Sequence, residues 1–224
     1  QYAGFFNGRL ASLEAQVRAV AEAPETSAAF DSGDRATLAR TATSLNALLG
    51  FAKNVQLIPA GEAAVNNDIG IGYVAFDVIE RAETQPYVGP DGIGGERPQL
   101  FVAHSVLNEG VVAGVVFVEV GTDYLLAPLS LFDGSLGQVR IEQRLETGPT
   151  ITLLNWGDSG SGTDAPPVQL NAPQWSLIFT PNPARIVAVS STTDMLPGFA
   201  AALGLVLGGV ALGFANLNRK LEND

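Results

Sequence analysis

The chain has 224 residues, 46% of them apolar, and a formal net charge of −11. That apolar share builds a packed core and excludes a disordered chain. The acidic balance excludes nucleic acid as a partner, and the absence of cysteine excludes disulfides, thiolate metal sites and a cysteine nucleophile. With a single histidine a zinc site would need carboxylates for its other ligands, and the sequence shows no such cluster, so neither a metal nor another cofactor is expected.

The chain opens on Phe6, Leu10, Leu13, Val17 and Val20, alternating steps of four and three that predict a helix with one apolar stripe, ended or redirected by Pro24. A second helix follows Asp31-Ser32-Gly33-Asp34, capped by Ser32 or Asp34, with Leu38, Leu45, Leu48 and Leu49 on its buried side. Residues 53–58 alternate as a strand, and Pro59-Ala60-Gly61 turns the chain. Residues 71–84 read as a third helix, with Val74, Val78 and Ile79 facing inward. The glycine-rich run 89–95 reads as a loop and lacks the Lys-Ser/Thr ending of a phosphate loop.

The clearest sheet signal is the pair of β-rich runs 100–107 and 111–120, joined by Asn108-Glu109-Gly110 as a hairpin. Both runs are apolar on both faces, which places the hairpin centrally in a sheet covered on each side. A short helix over 123–132, broken near Pro128, leads to a strand at 136–144 with Val139 and Ile141 inward and Arg140, Glu142 and Arg144 outward. Strands at 150–155 and 174–180 close the domain. Antiparallel strands with helices gathered outside them define an α+β fold.

Residues 197–215 are nineteen uncharged positions, long enough to cross most of a hydrocarbon core about 30 Å thick. Their interior glycines would weaken a helix in water and are tolerated in a bilayer. Arg219-Lys220, the only adjacent cationic pair, holds the C-terminal end on the cytoplasmic side, so residues 1–196 are expected outside, in the periplasm of a Gram-negative cell. That topology calls for an upstream signal or span before Gln1. Gly204 and Gly208, and Gly209 and Gly213, have the four-residue spacing that lets two spans pack closely, so a homodimer in the inner membrane is expected.

Three stretches carry a family resemblance: the strand Val55-Gln56-Leu57-Ile58-Pro59-Ala60-Gly61, the helix from Tyr73 to Ala82, and the hairpin from Phe101-Val102-Ala103-His104 through Val118 with Asp123-Tyr124-Leu125 behind it. Set between two spans, their order resembles the Cache/PAS-like extracytoplasmic sensor domain of bacterial transmembrane receptors, over about residues 1–180. The helix Asp77-Val78-Ile79-Glu80-Arg81-Ala82 and the strand Val139-Arg140-Ile141-Glu142-Gln143 are also similar to the membrane-anchored N-terminal region of long-form phosphomannomutase/phosphoglucomutase. The sensor resemblance implies an antiparallel sheet flanked by helices, with a pocket between the sheet and the helix leading into it. It divides the chain into a stalk helix (1–23), the Cache/PAS-like domain (24–182), a linker (183–196), a transmembrane helix (197–218) and the start of a cytoplasmic segment (219–224). Amino-acid-binding members use Tyr, Arg and Trp in that helix region with a later Asp; Tyr73 and Arg81 match, whereas Trp156 and Trp175 fall far downstream, a departure that points away from amino acids and toward a small uncharged ligand or none.

The function expected is a non-catalytic sensory or regulatory domain that passes ligand or dimer state to a cytoplasmic output. The alternative is a ligand-free anchor and dimeriser of a phosphohexomutase. Tyr73, Asp77, His104, Tyr124 and Gln143 are the candidate ligand-binding residues, supplying the few polar groups a small-molecule pocket needs. Against this, a histidine in a central strand is a core residue when one backbone carbonyl satisfies it. Gly157-Asp158-Ser159-Gly160 matches part of the serine segment of chymotrypsin-like proteases, with His104 and Asp123 or Asp133 upstream in the same order. A helical N-terminal half and only about 55 residues between His104 and Ser159 exclude that fold.

Overall fold

The computed structural model describes residues 2–185 apart from 132, 146, 147, 159, 160 and 173. The expected transmembrane helix at 197–218, its glycines Gly204, Gly208, Gly209 and Gly213, and Arg219-Lys220 lie outside the described residues. Among the described residues no helix is long and apolar enough to cross a membrane.

Helix α1 (Tyr2–Ala21) buries all five residues of the predicted stripe. Pro24 does more than end it. Its fixed φ suits a first helical turn, and it opens a short helix, α2 (Pro24–Asp31), that the periodicity does not reveal. The buried Thr26 hydroxyl donates to the Val20 carbonyl at 2.6 Å and ties the two helices together. Helix α3 (Arg35–Leu48) is capped by Asp34, whose carboxylate accepts from the backbone N–H groups of Ala36 and Thr37. Leu38, Leu45 and Leu49 are buried as expected, but Leu48 is 69% exposed, because α3 turns only a narrow stripe toward the sheet.

Strands β1 (Ala52–Pro59), β2 (Tyr87–Ile93), β3 (Gln99–Asn108) and β4 (Val111–Val120) form one antiparallel sheet in the order β1-β4-β3-β2. The β3–β4 hairpin is central, and its two turn residues Glu109 and Gly110 have φ of 49° and 83°, the twist that matches paired strands. The stretch read as a loop at 89–95 belongs largely to β2. Pro90 has no N–H to donate, and it is tolerated because β2 is an edge strand with a bulge between Val88 and Asp91.

Helices α1, α2 and α3 cover one face of this sheet, and α4 (Tyr73–Ala82) covers the other. After β4, α5 (Thr122–Leu126) and short 3-10 turns lead into a second antiparallel sheet. It contains β5 (Gly137–Arg144), β6 (Thr150–Gly157), β7 (Val168–Gln169) and β8 (Trp175–Pro181) in the order β6-β5-β8-β7. The single sheet expected from the sequence is therefore two four-stranded sheets within an α+β fold. The cause is the helical segment after Gly121, which carries the chain away from β4 before strand structure resumes.

One apolar core runs through both halves. It joins the α1 stripe to Leu100, Val102, Val116 and Val118 of the first sheet, and to Val139, Ile141, Leu153 and Trp175 of the second. The N-terminal end of α1 also reaches the second sheet. Tyr2 stacks on Phe179 at 6.0 Å between ring centroids, and Asn7 Oδ1 accepts the Asn171 N–H at 2.8 Å.

Candidate functional site

The space between the first sheet and α4, one place the sensor resemblance would put a pocket, is filled. Ile58, Ile79, Phe101, Val115 and Phe117 are buried there, and the Phe101 and Phe117 rings stack at 5.6 Å. Open space lies instead along the side of α4 that carries Tyr73, Asp77 and Arg81, where the two sheets meet.

Glycine permits that meeting. A side chain at Gly94 would collide with the Thr152 carbonyl of β6, and one at Gly92 would press on Leu100 and Leu153. Beside this contact lies a cleft of about 400 Å³, lined by Tyr73, Asp77 and Arg81 of α4, Asp91 of β2, Gln143 of β5, and Gln174. A more apolar lobe of about 510 Å³ continues from it along Val74, Gly92, Leu145 and Ile151. The two lobes share Val74, Gly92 and Leu145.

A polar chain crosses the floor from one sheet to the other. Arg81 Nη2 donates to Asp91 Oδ2 at 2.6 Å, and Arg81 Nε lies 2.9 Å from Asp77 Oδ2. The second contact is an ion pair whose N–H is not aimed at the carboxylate, since Nε lacks a hydrogen-bond partner. Asp91 Oδ1 accepts from its neighbour Gly92 N–H at 2.8 Å and from the Gln143 side-chain amide. Gln143 is 5% exposed, and its Oε1 accepts from Gly92 N–H at 3.2 Å. Two carboxylates face one guanidinium here, so the cluster carries one excess negative charge. Gln174 holds a left-handed backbone, φ 61°, at the rim.

Three of the five sequence candidates thus come together: Tyr73, Asp77 and Gln143. Tyr73 stands 82% exposed on the lip, one helical turn before Asp77. His104 and Tyr124 do not join them. His104 is 6% exposed, with its Nδ1 2.7 Å from the Ser105 carbonyl and its ring 6.4 Å from that of Tyr87. Burial, reinforced by the Glu14 carboxylate, pushes the Tyr87 hydroxyl well above its ordinary pKa. Tyr124 packs on Phe51 at 5.0 Å, beneath the Arg9 guanidinium, 4.9 Å above its ring. His104 is an interior residue on the α1 side, as its alternation with Val102 and Val106 along β3 requires, and half-buried Tyr124 of α5 packs against the same core. In the protease-like pattern Ser159 lies outside the described residues, and His104 is buried in the first sheet while Asp158 follows a strand of the second.

Sequence reasoning named Arg81 only through the family pattern and missed Asp91, which sat inside the presumed loop. The missed signal was the Val88-Gly89-Pro90-Asp91-Gly92-Ile93 alternation, disguised because its inward positions include a proline and a glycine.

No known family profile matches the chain, and no curated protein matches it in sequence. Its fold is similar to the ligand-binding domain of the Pseudomonas aeruginosa PAO1 amino-acid chemoreceptor PctC, solved in complex with GABA. The TM-score is 0.55 at 15% identity, over 80% of this chain and 94% of that one. At this identity the likeness is one of fold alone, to a chemoreceptor ligand-binding domain of Cache type.

Proposed function

We propose that this chain is the extracytoplasmic sensory or regulatory domain of a membrane-anchored protein. A ligand in the cleft between the sheets, or the dimer state of the chain, would shift one sheet against the other and move α1 relative to the C-terminal span. The observation that carries this reading is that α1 packs on the first sheet, shares one core with both and touches the second through Tyr2 and Asn7, while the cleft opens where those sheets meet. A change in the angle between the sheets must then be felt along α1. Ligand binding produces such a shift only through differential affinity for the two arrangements. The fold likeness to a chemoreceptor ligand-binding domain supports the same reading. With it go the proposals that residues 1–196 face the periplasm, that 197–218 span the inner membrane, and that the chain dimerises there.

The test is titration calorimetry of the purified domain against periplasmic metabolites, with Gln143→Leu as the cleft variant. Spin labels at Tyr73→Cys and Gln174→Cys report the cleft width, and they are free of background because the chain has no cysteine. A ligand that binds, narrows the label distance and loses affinity in Gln143→Leu supports the reading. No heat, together with an output unchanged when the dimer is locked by engineered cysteines, sinks it.

A second reading is favoured by the filled space between the first sheet and α4: a ligand-free anchor and dimeriser of a phosphohexomutase. Reporter fusions before Met195 and after Lys220 test the anchor common to both readings. Reporters on the same side of the membrane would remove it.

A further inference from the structure

A second open space lies away from the inter-sheet cleft, along the outer edge of β1. There a groove of about 780 Å³ is bounded by α3 on one side and by residues 62–71 on the other. Every residue of β1 from Asn54 to Pro59 lines it. β1 is the terminal strand of its sheet, and among the described residues the backbone of 54–58 pairs only with β4. A strand in this position turns the N–H and C=O of every second residue into the groove, unpaired. Asn46 Oδ1, buried in the α3 wall, also lacks a partner among the described residues.

We propose that this groove takes an extended peptide, which pairs with β1 as a fifth strand of the first sheet. Main-chain pairing supplies affinity in this mode, and the walls select alternate side chains. Six residues of β1 span about 20 Å at about 3.3 Å each. The small side chains of Ala39, Ala42, Ala63 and Ala64 let a backbone come close from both sides.

The walls also set the chemistry of the peptide. Val55 and Leu57 face the α3 side, while Asn54 and Gln56 face the opposite side, where Gln56 Nε2 donates to the Ile69 carbonyl at 2.9 Å and Asn66 lines the same groove. Residues directly opposite each other on adjacent strands share a face. The peptide therefore alternates small apolar with uncharged polar residues. Charge is excluded from its centre, because the one charged pair at the groove, Arg35 and Glu62, is already joined at 3.2 Å. This site is independent of the inter-sheet cleft, so either proposal can fail without the other.

The experiment uses an acetylated, amidated Thr-Val-Gln-Ala-Thr-Val peptide against the isotope-labelled chain, read by amide chemical shifts and amide exchange. Saturable binding is expected, with slowed exchange confined to alternate amides of 54–58. N-methylation of alternate peptide amides, or Ala39→Trp on the exposed groove side of α3, should weaken binding by at least about tenfold. Ala39 is exposed, so the variant leaves the core intact. Equal binding by the two N-methylated registers, no slowing of exchange in β1, or binding unaltered by Ala39→Trp would overturn the proposal. So would saturation of the same amides by an uncharged disaccharide such as trehalose with no response to the peptide.

Discussion

Asp34 shows how one side chain sets both a boundary and a pH response. Its carboxylate accepts from Ala36 N–H at 3.2 Å, Thr37 N–H at 3.0 Å and the Thr37 hydroxyl at 2.6 Å. The Thr37 hydroxyl and those backbone donors hold its pKa below the ordinary 3.8. A carboxyl depressed in the folded state stabilises the fold above its unfolded pKa, and that contribution is lost as pH falls through the folded value. Asp133 and Asp164 are shifted the same way, Asp133 by Ser135 and Asp164 by Arg140 and Thr180. Stability is therefore expected to fall below about pH 4. Asp34→Asn keeps a capping acceptor but cannot titrate, so its urea midpoint should decline less steeply than that of the parent between about pH 4 and pH 2. Parallel decline of the two proteins, followed by far-ultraviolet circular dichroism, would show that the cap does not titrate with folding. The candidate site follows similar local logic. Tyr73 and Asp77 share a helix face by spacing alone, so their grouping was legible in the sequence. Their meeting with Gln143, seventy residues away in the chain, was not.

At the scale of elements, legibility depended on whether a residue's local preference agreed with its final partner. The β3–β4 hairpin, α1, α3 and β5 announce themselves because apolar period, caps and turn residues all agree. β2 hides because its glycines and proline are turn residues by local preference; strand pairing with β3 overrides them at an edge. β7, only two residues long, has no pattern to read. Division into two sheets is equally invisible, since alternation names the inward face of a strand and not the neighbour across its hydrogen bonds. Gly92 of β2 and Gly94 just after it have a second role that sequence alone could not separate from loop formation: they bring this edge against β6. Gly94→Val tests this. Its side chain would meet the Thr152 backbone, which cannot rotate away. The variant should widen the cleft, increasing the distance between spin labels at Tyr73→Cys and Gln174→Cys, and should lower the thermal midpoint. Gly110→Ala is the control, since it strains the hairpin turn at φ 83° without touching the junction. It should lower the midpoint and leave the label distance unchanged. If both variants left that distance alone, the glycines would not be what holds the sheets together.

At the scale of the whole molecule, α1 decides whether the two sheets behave as one body. Its stripe belongs to one apolar core that also includes residues of both sheets, and a large apolar side chain in such a position contributes about 1.5–3 kcal/mol on burial. Leu13, fully buried at mid-helix, is the position where truncation separates the possibilities. Leu13→Ala should cost about 2–5 kcal/mol, a large share of the stability of a single domain. If α1 is the shared spine, that loss is spread over the molecule. Unfolding stays a single transition, and amide protection falls by a similar factor at Val102 in β3 and at Ile141 in β5. If the sheets were separable units, Val102 would lose protection while Ile141 kept it, and the melting curve would split in two. The first outcome is also what transmission along the fold requires. A helix that shares its core with both sheets cannot stay still when their angle changes, whereas a helix committed to one sheet would leave the cleft with nothing to move.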